Sequence, residues 1–201
     1  MAKAKWVLVD PMSGSGSKTV SVSASEHSGR SPRESSIVFS SANCEDITRK
    51  VIQAGKPEFT HFKESAMSIP KEGKVITISG VSNSSKLNFK LGTGGLKITL
   101  PTNYTANSVS TKNNTAIAGD PGALAQYNFS IAITVPKNDT IASLTRQIIV
   151  TDASGSDVTC TLTQTAGDPY LRVVPEGDIN LTYAGTAVSL KVESNAPWTI
   201  E

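Results

Sequence analysis

Cysteine, histidine, aromatics and long apolar runs are all scarce in this chain of 201 residues. Cys44 and Cys160 are the only cysteines, so one disulfide at most can form. No Cys-Xaa-Xaa-Cys pair or Cys/His cluster offers zinc spacing. Two separate, half-buried thiols in different units are expected, with no metal and no cofactor. His27 and His61 have no nucleophile and acid at a recognisable spacing, so no hydrolytic triad is expected. No run reaches 18 apolar residues, which excludes a membrane-spanning helix. Charge of one sign is missing too: 19 Lys and Arg against 17 Asp and Glu leave +2. That excludes nucleic-acid binding by bulk electrostatics and a polybasic membrane patch. Aromatics at 5% leave little material for a sugar-stacking face.

Small polar and turn-forming residues are abundant instead. There are 47 Ser and Thr and 15 Gly, a mixture that points to an all-β chain. Period-two alternation runs through Lys18–Ala24, Val75–Ile78, Lys86–Leu91, Leu96–Leu100, Tyr127–Val135, Arg146–Val150 and Val158–Thr163. Turn chemistry separates these runs, as in Ser13-Gly-Ser-Gly16, Gly92-Thr-Gly-Gly95 and Gly119-Asp-Pro-Gly122. Neither Ser13–Gly16 nor Gly92–Gly95 is followed by a helical pattern, so hairpin loops are expected at these two, not a nucleophile elbow or a phosphate cradle. The Asp152–Asp157 stretch misses EF-hand spacing and reads as another hairpin turn. Short strands at this spacing predict tandem antiparallel β-sandwiches.

Internal echoes set the organisation. Gln53-Ala-Gly-Lys-Pro57 returns as Gln164-Thr-Ala-Gly-Asp-Pro169. Arg33 with Ile37-Val-Phe39 returns as Arg146 with Ile148-Ile-Val150. Pro70-Lys-Glu-Gly73 is echoed by Pro175-Glu-Gly177, and Trp6-Val-Leu-Val9 by Trp198-Thr-Ile200. Glycine frees the backbone and proline stops the pairing, so each Gly-Xaa-Pro reads as a sandwich exit. The units expected are 1–59, 60–169 with a long polar insertion at 104–126, and 170–201. Trp6 and Trp198 are expected in equivalent core strands of different units.

These features together resemble the BACON module, the Bacteroidetes-associated, often N-terminal, carbohydrate-binding immunoglobulin-like domain. The residues that carry the resemblance are the Pro-Xaa-Gly opening, Ser194-Asn-Ala-Pro-Trp-Thr-Ile200, the Arg-led strand and the closing Gln-Xaa-Gly. Residues 170–201 resemble its first half, 1–59 its second half, and 60–169 a whole copy. The resemblance implies seven-stranded immunoglobulin-like sandwiches and, weakly, sugar binding.

Binding, not turnover, is the expected activity. A start of Lys3 and Lys5 followed only by Trp6–Val9 before Asp10-Pro11 lacks the core of a secretory signal. A break within the last unit suggests the anchored piece of a larger assembly. The setting expected is a phage virion, as a head fibre or capsid decoration made in the host cytoplasm. Its partners would be capsid or other virion proteins and further copies of the chain, most simply as a trimer. An alternative is an extracellular carbohydrate-binding module on a bacterial surface. Arg30, Arg33, Arg49, Lys50 and Lys56 form the expected anchor patch. Tyr104, Asn113, Asn114, Asp120 and Tyr127, in or beside the insertion, are the expected contacts to a host glycan or partner.

Overall fold

The computed structural model describes residues 3–201; Met1 and Ala2, part of the charged start, lie outside the described residues. The fold is all-β. Among the described residues, fifteen strands and one short helix follow in chain order: β1 Val7–Asp10, β2 Ser21–Ala24, β3 Arg33–Phe39, β4 Ile47–Gln53, β5 Thr60–Phe62, β6 Ala66–Ile69, β7 Lys74–Ser82, β8 Leu87–Leu91, β9 Asn103–Ala106, β10 Val109–Lys112, α1 Pro121–Leu124, β11 Tyr127–Val135, β12 Leu144–Asp152, β13 Asp157–Gln164, β14 Leu171–Val174 and β15 Lys191–Ser194.

Two sheets make the central sandwich. One runs β10-β9-β11-β7-β5 and the other β6-β13-β12-β8. All pairings are antiparallel except β6 with β13. Strict alternation fills the space between the sheets. Ile76 and Ile78 of β7, Phe129, Ile131 and Ile133 of β11, Ile148 and Val150 of β12, and Cys160 and Leu162 of β13 all point inward and are buried. Phe129 meets Phe89 edge-on at 5.8 Å between ring centroids, which adds quadrupolar attraction to the burial.

On either side lie smaller pieces. The β1-β2 and β3-β4 hairpins precede the sandwich, and the β14-β15 hairpin follows it. Few of their side chains are buried, notably Val7 and Ile37.

The expected 104–126 insertion is largely ordered. It holds the β9-β10 hairpin, which extends the larger sheet, and α1 beyond it. Leu96–Leu100, expected as a strand, carries buried Leu96 but no regular strand. Both cysteines are free: Cys44 is exposed in the turn before β4, and Cys160 is fully buried in β13. Burial raises the Cys160 thiol pKa.

The geometry also corrects two of the echoes. Gly73 and Gly185 are the matching turn glycines, with φ of 70° and 67°. Each donates its N–H at 3.0 Å to the carbonyl three residues back, Pro70 and Thr182. A side chain would be strained at that φ, hence glycine at both. On the same offset Trp198 aligns with Lys86, just before β8. Trp6 aligns instead with Gly95: the Arg33 guanidinium lies over the Trp6 ring, as Leu144 lies beside Gly95. The two tryptophans therefore occupy successive segments of the repeat. Neither is a core residue, since Trp198 is half exposed and Trp6 is half-buried under Arg33.

Candidate functional site

A buried polar joint fastens the N-terminal hairpins to the central sandwich. It is centred on Asn83, fully buried just after β7. Its Oδ1 accepts from the Phe59 N–H at 2.9 Å, and its Nδ2 faces the carbonyls of Pro57 at 3.2 Å, Ser28 at 3.3 Å and Lys56 at 3.4 Å. Ser82 assists: its hydroxyl donates to the Phe59 carbonyl at 2.9 Å and accepts from the Ser84 N–H at 2.9 Å. From the other side Arg30 reaches across. Its Nε donates to the Asn83 carbonyl at 2.6 Å and its guanidinium pairs with Asp120 at 2.6 Å. The backbone joins in, with Arg30 N–H to Gly122 O and Ser31 N–H to Ala123 O, both 2.9 Å. Such closeness demands glycine. A Cβ on Gly55 would sit 1.7 Å from the Arg30 carbonyl oxygen, and one on Gly122 would sit 1.9 Å from that of Asn83.

The joint recurs between the sandwich and the C-terminal hairpin. Asn195 Oδ1 accepts from the Tyr170 N–H at 3.0 Å, and its Nδ2 donates to Asp168 O at 2.9 Å and Asp139 O at 2.8 Å. Ser194 donates to Tyr170 O and accepts from the Ala196 N–H. Every group has its counterpart at the first joint. Lys71 adds an ion pair to Asp168, whose hydrogen bond raises the lysine pKa.

The expected anchor residues do not form one free basic patch. Arg30 is spent inside the first joint. Arg33 lies over Trp6 and donates to Gln53 Oε1 at 2.8 Å and Ser25 O at 2.9 Å. Lys56 lies over the Phe59 ring and 3.8 Å from Glu26. Lys50 pairs with Glu34 across the β3-β4 hairpin. Arg49 is exposed on β4, donating to the Thr48 carbonyl at 3.2 Å.

The expected glycan contacts are mostly internal. Tyr104 and Tyr127 are buried in the core and present no face to a ligand. Burial pushes the Tyr104 hydroxyl pKa up to about 12 and raises that of Tyr127 as well. The Tyr127 hydroxyl donates to Ser84 O at 2.8 Å. Asn113 brackets the Phe89 backbone, accepting from its N–H at 2.8 Å and donating to its carbonyl at 2.9 Å. Asn114 sits at φ 59° in the turn after β10. Asp120 belongs to the joint. The functional residues that sequence reasoning missed are Ser82-Asn83 and Ser194-Asn195. The repeated Ser-Asn dipeptide was the available signal.

The exposed apolar groups are elsewhere. Of 22 exposed large hydrophobic residues among the described residues, seven lie in 3–59, ten in 170–201 and five between. An open groove of about 520 Å³ runs between the N-terminal hairpins, lined by Val9, Pro11, Met12, Ile37 and Phe39 among others. Exposed aromatics include Phe39 of β3 and Tyr170, Tyr183 and Trp198 of the last unit, with Tyr170 and Trp198 lining one shallow pocket.

Comparison with known proteins bears on the N-terminal region. Residues 1–54 match the family model described as "BACON: Putative binding domain, N-terminal", so this segment is BACON-like. The match takes in 54 of 201 residues. A search of curated proteins finds no match. One solved structure, the NMR structure of a protein from Bacteroides thetaiotaomicron, aligns with 54% of this chain and 87% of its own at 12% identity. Its TM-score of 0.27 is too low to bear on the fold.

Proposed function

We propose that this protein is a non-catalytic string of immunoglobulin-like modules that projects from a larger particle. A head fibre or capsid decoration of a phage virion is the setting that suits it. One observation carries the reading: the same polar joint is built twice, at Asn83 and at Asn195. A joint closed by side-chain hydrogen bonds to the entering chain and by close glycine contacts holds successive modules at a fixed angle, which a projecting arm needs and a flexible tether does not. The N-terminal hairpins, with exposed Arg49 and the apolar groove, are the end that meets the particle. Copurification with virions, followed by gold labelling of the chain on the capsid, tests this. Label confined to the bacterial envelope would overturn it.

A second reading is favoured by the family match at 1–54: a carbohydrate-binding module on a bacterial surface. Tyr170, Tyr183 and Trp198 would be its stacking faces, since the two buried tyrosines are excluded. Glycan-array binding that disappears in Trp198→Ala would select it; silence across the array would remove it.

A further inference from the structure

We infer that the central sandwich takes up an extended, acidic segment of a partner protein, which adds as a strand to a free stretch of the β11 edge beside residues 97–101. The inference goes beyond the projecting arm and does not rest on it, because every residue that builds this slot belongs to the central sandwich.

Only one edge of β11 is paired along its whole length. β7 matches it from Tyr127 to Val135, whereas β9 reaches it only at Phe129 and Ser130. The Asn128 carbonyl accepts from the Asn107 N–H at 2.9 Å, so by strand periodicity the even-numbered residues of β11 aim their peptide groups at the β9 side. Ala132 and Thr134 therefore turn both N–H and C=O to an edge where no strand pairs with them. Pro101 explains the gap. Continuing the register of Ser130 with Thr105 would set Asn103 against Ala132 and Pro101 against Thr134. Proline has no N–H to give, so the ladder stops, and the chain bends at Thr102.

The facing wall is unpaired as well. Leu96 donates its N–H to Thr145 O at 2.9 Å, and Thr102 O accepts from the Asn113 N–H at 2.8 Å. Between these two pins, residues 97–101 make no backbone hydrogen bond among the described residues. Their side chains still alternate as in a strand. Ile98 and Leu100 pack against the core, while Lys97 and Thr99 are exposed. Between the two walls lies an open slot of about 710 Å³. Unpaired backbone beside such a slot is a ready template for strand addition. A residue laid opposite Ile133 would turn inward, and residues opposite Ala132 and Thr134 outward. Charge selects the occupant. Lys97 and Arg146 line the slot and no carboxylate does. Neither cation is in an ion pair among the described residues: Lys97 is exposed, and Arg146 donates to the carbonyls of Leu96 at 2.9 Å and Gly92 at 3.0 Å. A segment with apolar residues inside and carboxylates beside them meets both demands.

The test uses the full chain and the peptide acetyl-Glu-Val-Thr-Val-Glu-amide, with acetyl-Lys-Val-Thr-Val-Lys-amide as its control. In the dilute free chain, amide hydrogens should exchange fast at Ala132 and Thr134 and slowly at Ile131 and Ile133, which bond to β7. Millimolar acidic peptide should slow Ala132 and Thr134 at least about tenfold, and the lysine peptide should not. Lys97→Glu changes an exposed side chain and should weaken the acidic peptide about fivefold. Slow exchange at both amides in the dilute free chain would show residues 97–101 closing the edge themselves. Slowing that comes only as the protein is concentrated would place a second copy there. Either result overturns the inference, as does equal protection by the two peptides, no protection by the acidic one, or an acidic peptide indifferent to Lys97→Glu.

Discussion

Asn83 and Asn195 stand 112 residues apart and make the same hydrogen bonds to the chain entering their modules. Each carboxamide accepts the N–H of the aromatic that opens the module and donates to a carbonyl of the preceding Gly-Xaa-Pro exit. The first is fully buried, whereas the second is half-buried and its hydrogen bonds are open to solvent. Asn83→Ala should therefore cost about 2 kcal/mol, because the Phe59 N–H loses its acceptor and three carbonyls lose a donor. Asn195→Ala should cost under about 1 kcal/mol, since water replaces the lost partners. Urea unfolding of the two variants side by side reads the difference, and equal losses would count against a buried first joint.

Arg30 and Asp120 close the first joint with a partly exposed pair, so salt should weaken it. Asp120→Asn should loosen the N-terminal hairpins at a cost of roughly 1 kcal/mol while leaving the central melt unchanged. Limited trypsin cleavage after Arg30 and Arg33 is the readout: faster in the variant, and faster in the unmodified chain at high salt.

Gly55→Ala probes the closeness of the same joint. A methyl group 1.7 Å from the Arg30 oxygen forces the loop away. The expected result is an N-terminal region that exchanges its amide hydrogens faster, with β7, β11 and β12 still protected.

The two buried tyrosines should respond oppositely to loss of their hydroxyls. Tyr127→Phe removes a 2.8 Å bond to Ser84 O and should cost about 1–2 kcal/mol. The Tyr104 hydroxyl has no hydrogen-bond partner among the described residues, so Tyr104→Phe should be neutral or stabilising. Alkali adds a second readout. Unfolded tyrosine ionises near pH 10, whereas Tyr104 holds its proton to about 12. Stability is thus full below pH 10 and falls as pH rises through 12, with Tyr127 acting in the same direction. The urea midpoint should drop between pH 9 and pH 11, and by less in Tyr104→Phe.

The all-β fold was legible because alternation in Tyr127–Val135 and Val158–Thr163 matches a strand buried on one face. The exits at Gln53 and Gln164 were legible because Gly-Xaa-Pro carries its own backbone constraint. The joint was hidden. Arg30 looks like a free surface cation until the fold brings it to Asp120, 90 positions away. Tyr104 and Tyr127 look available until their strands enter the larger sheet. Only contacts distant in sequence decide those cases, and no local pattern encodes them.

The fixed joint is the central claim, and a distance between spin labels tests it most directly. Cys44 is exposed and Cys160 buried, so a label goes to Cys44 and to a second cysteine at Lys112→Cys on the central sandwich. Dilute samples keep the distance within one copy. The account predicts a single narrow distance distribution that broadens when Asn83→Ala is added. A broad distribution in the chain with Asn83 intact would contradict it.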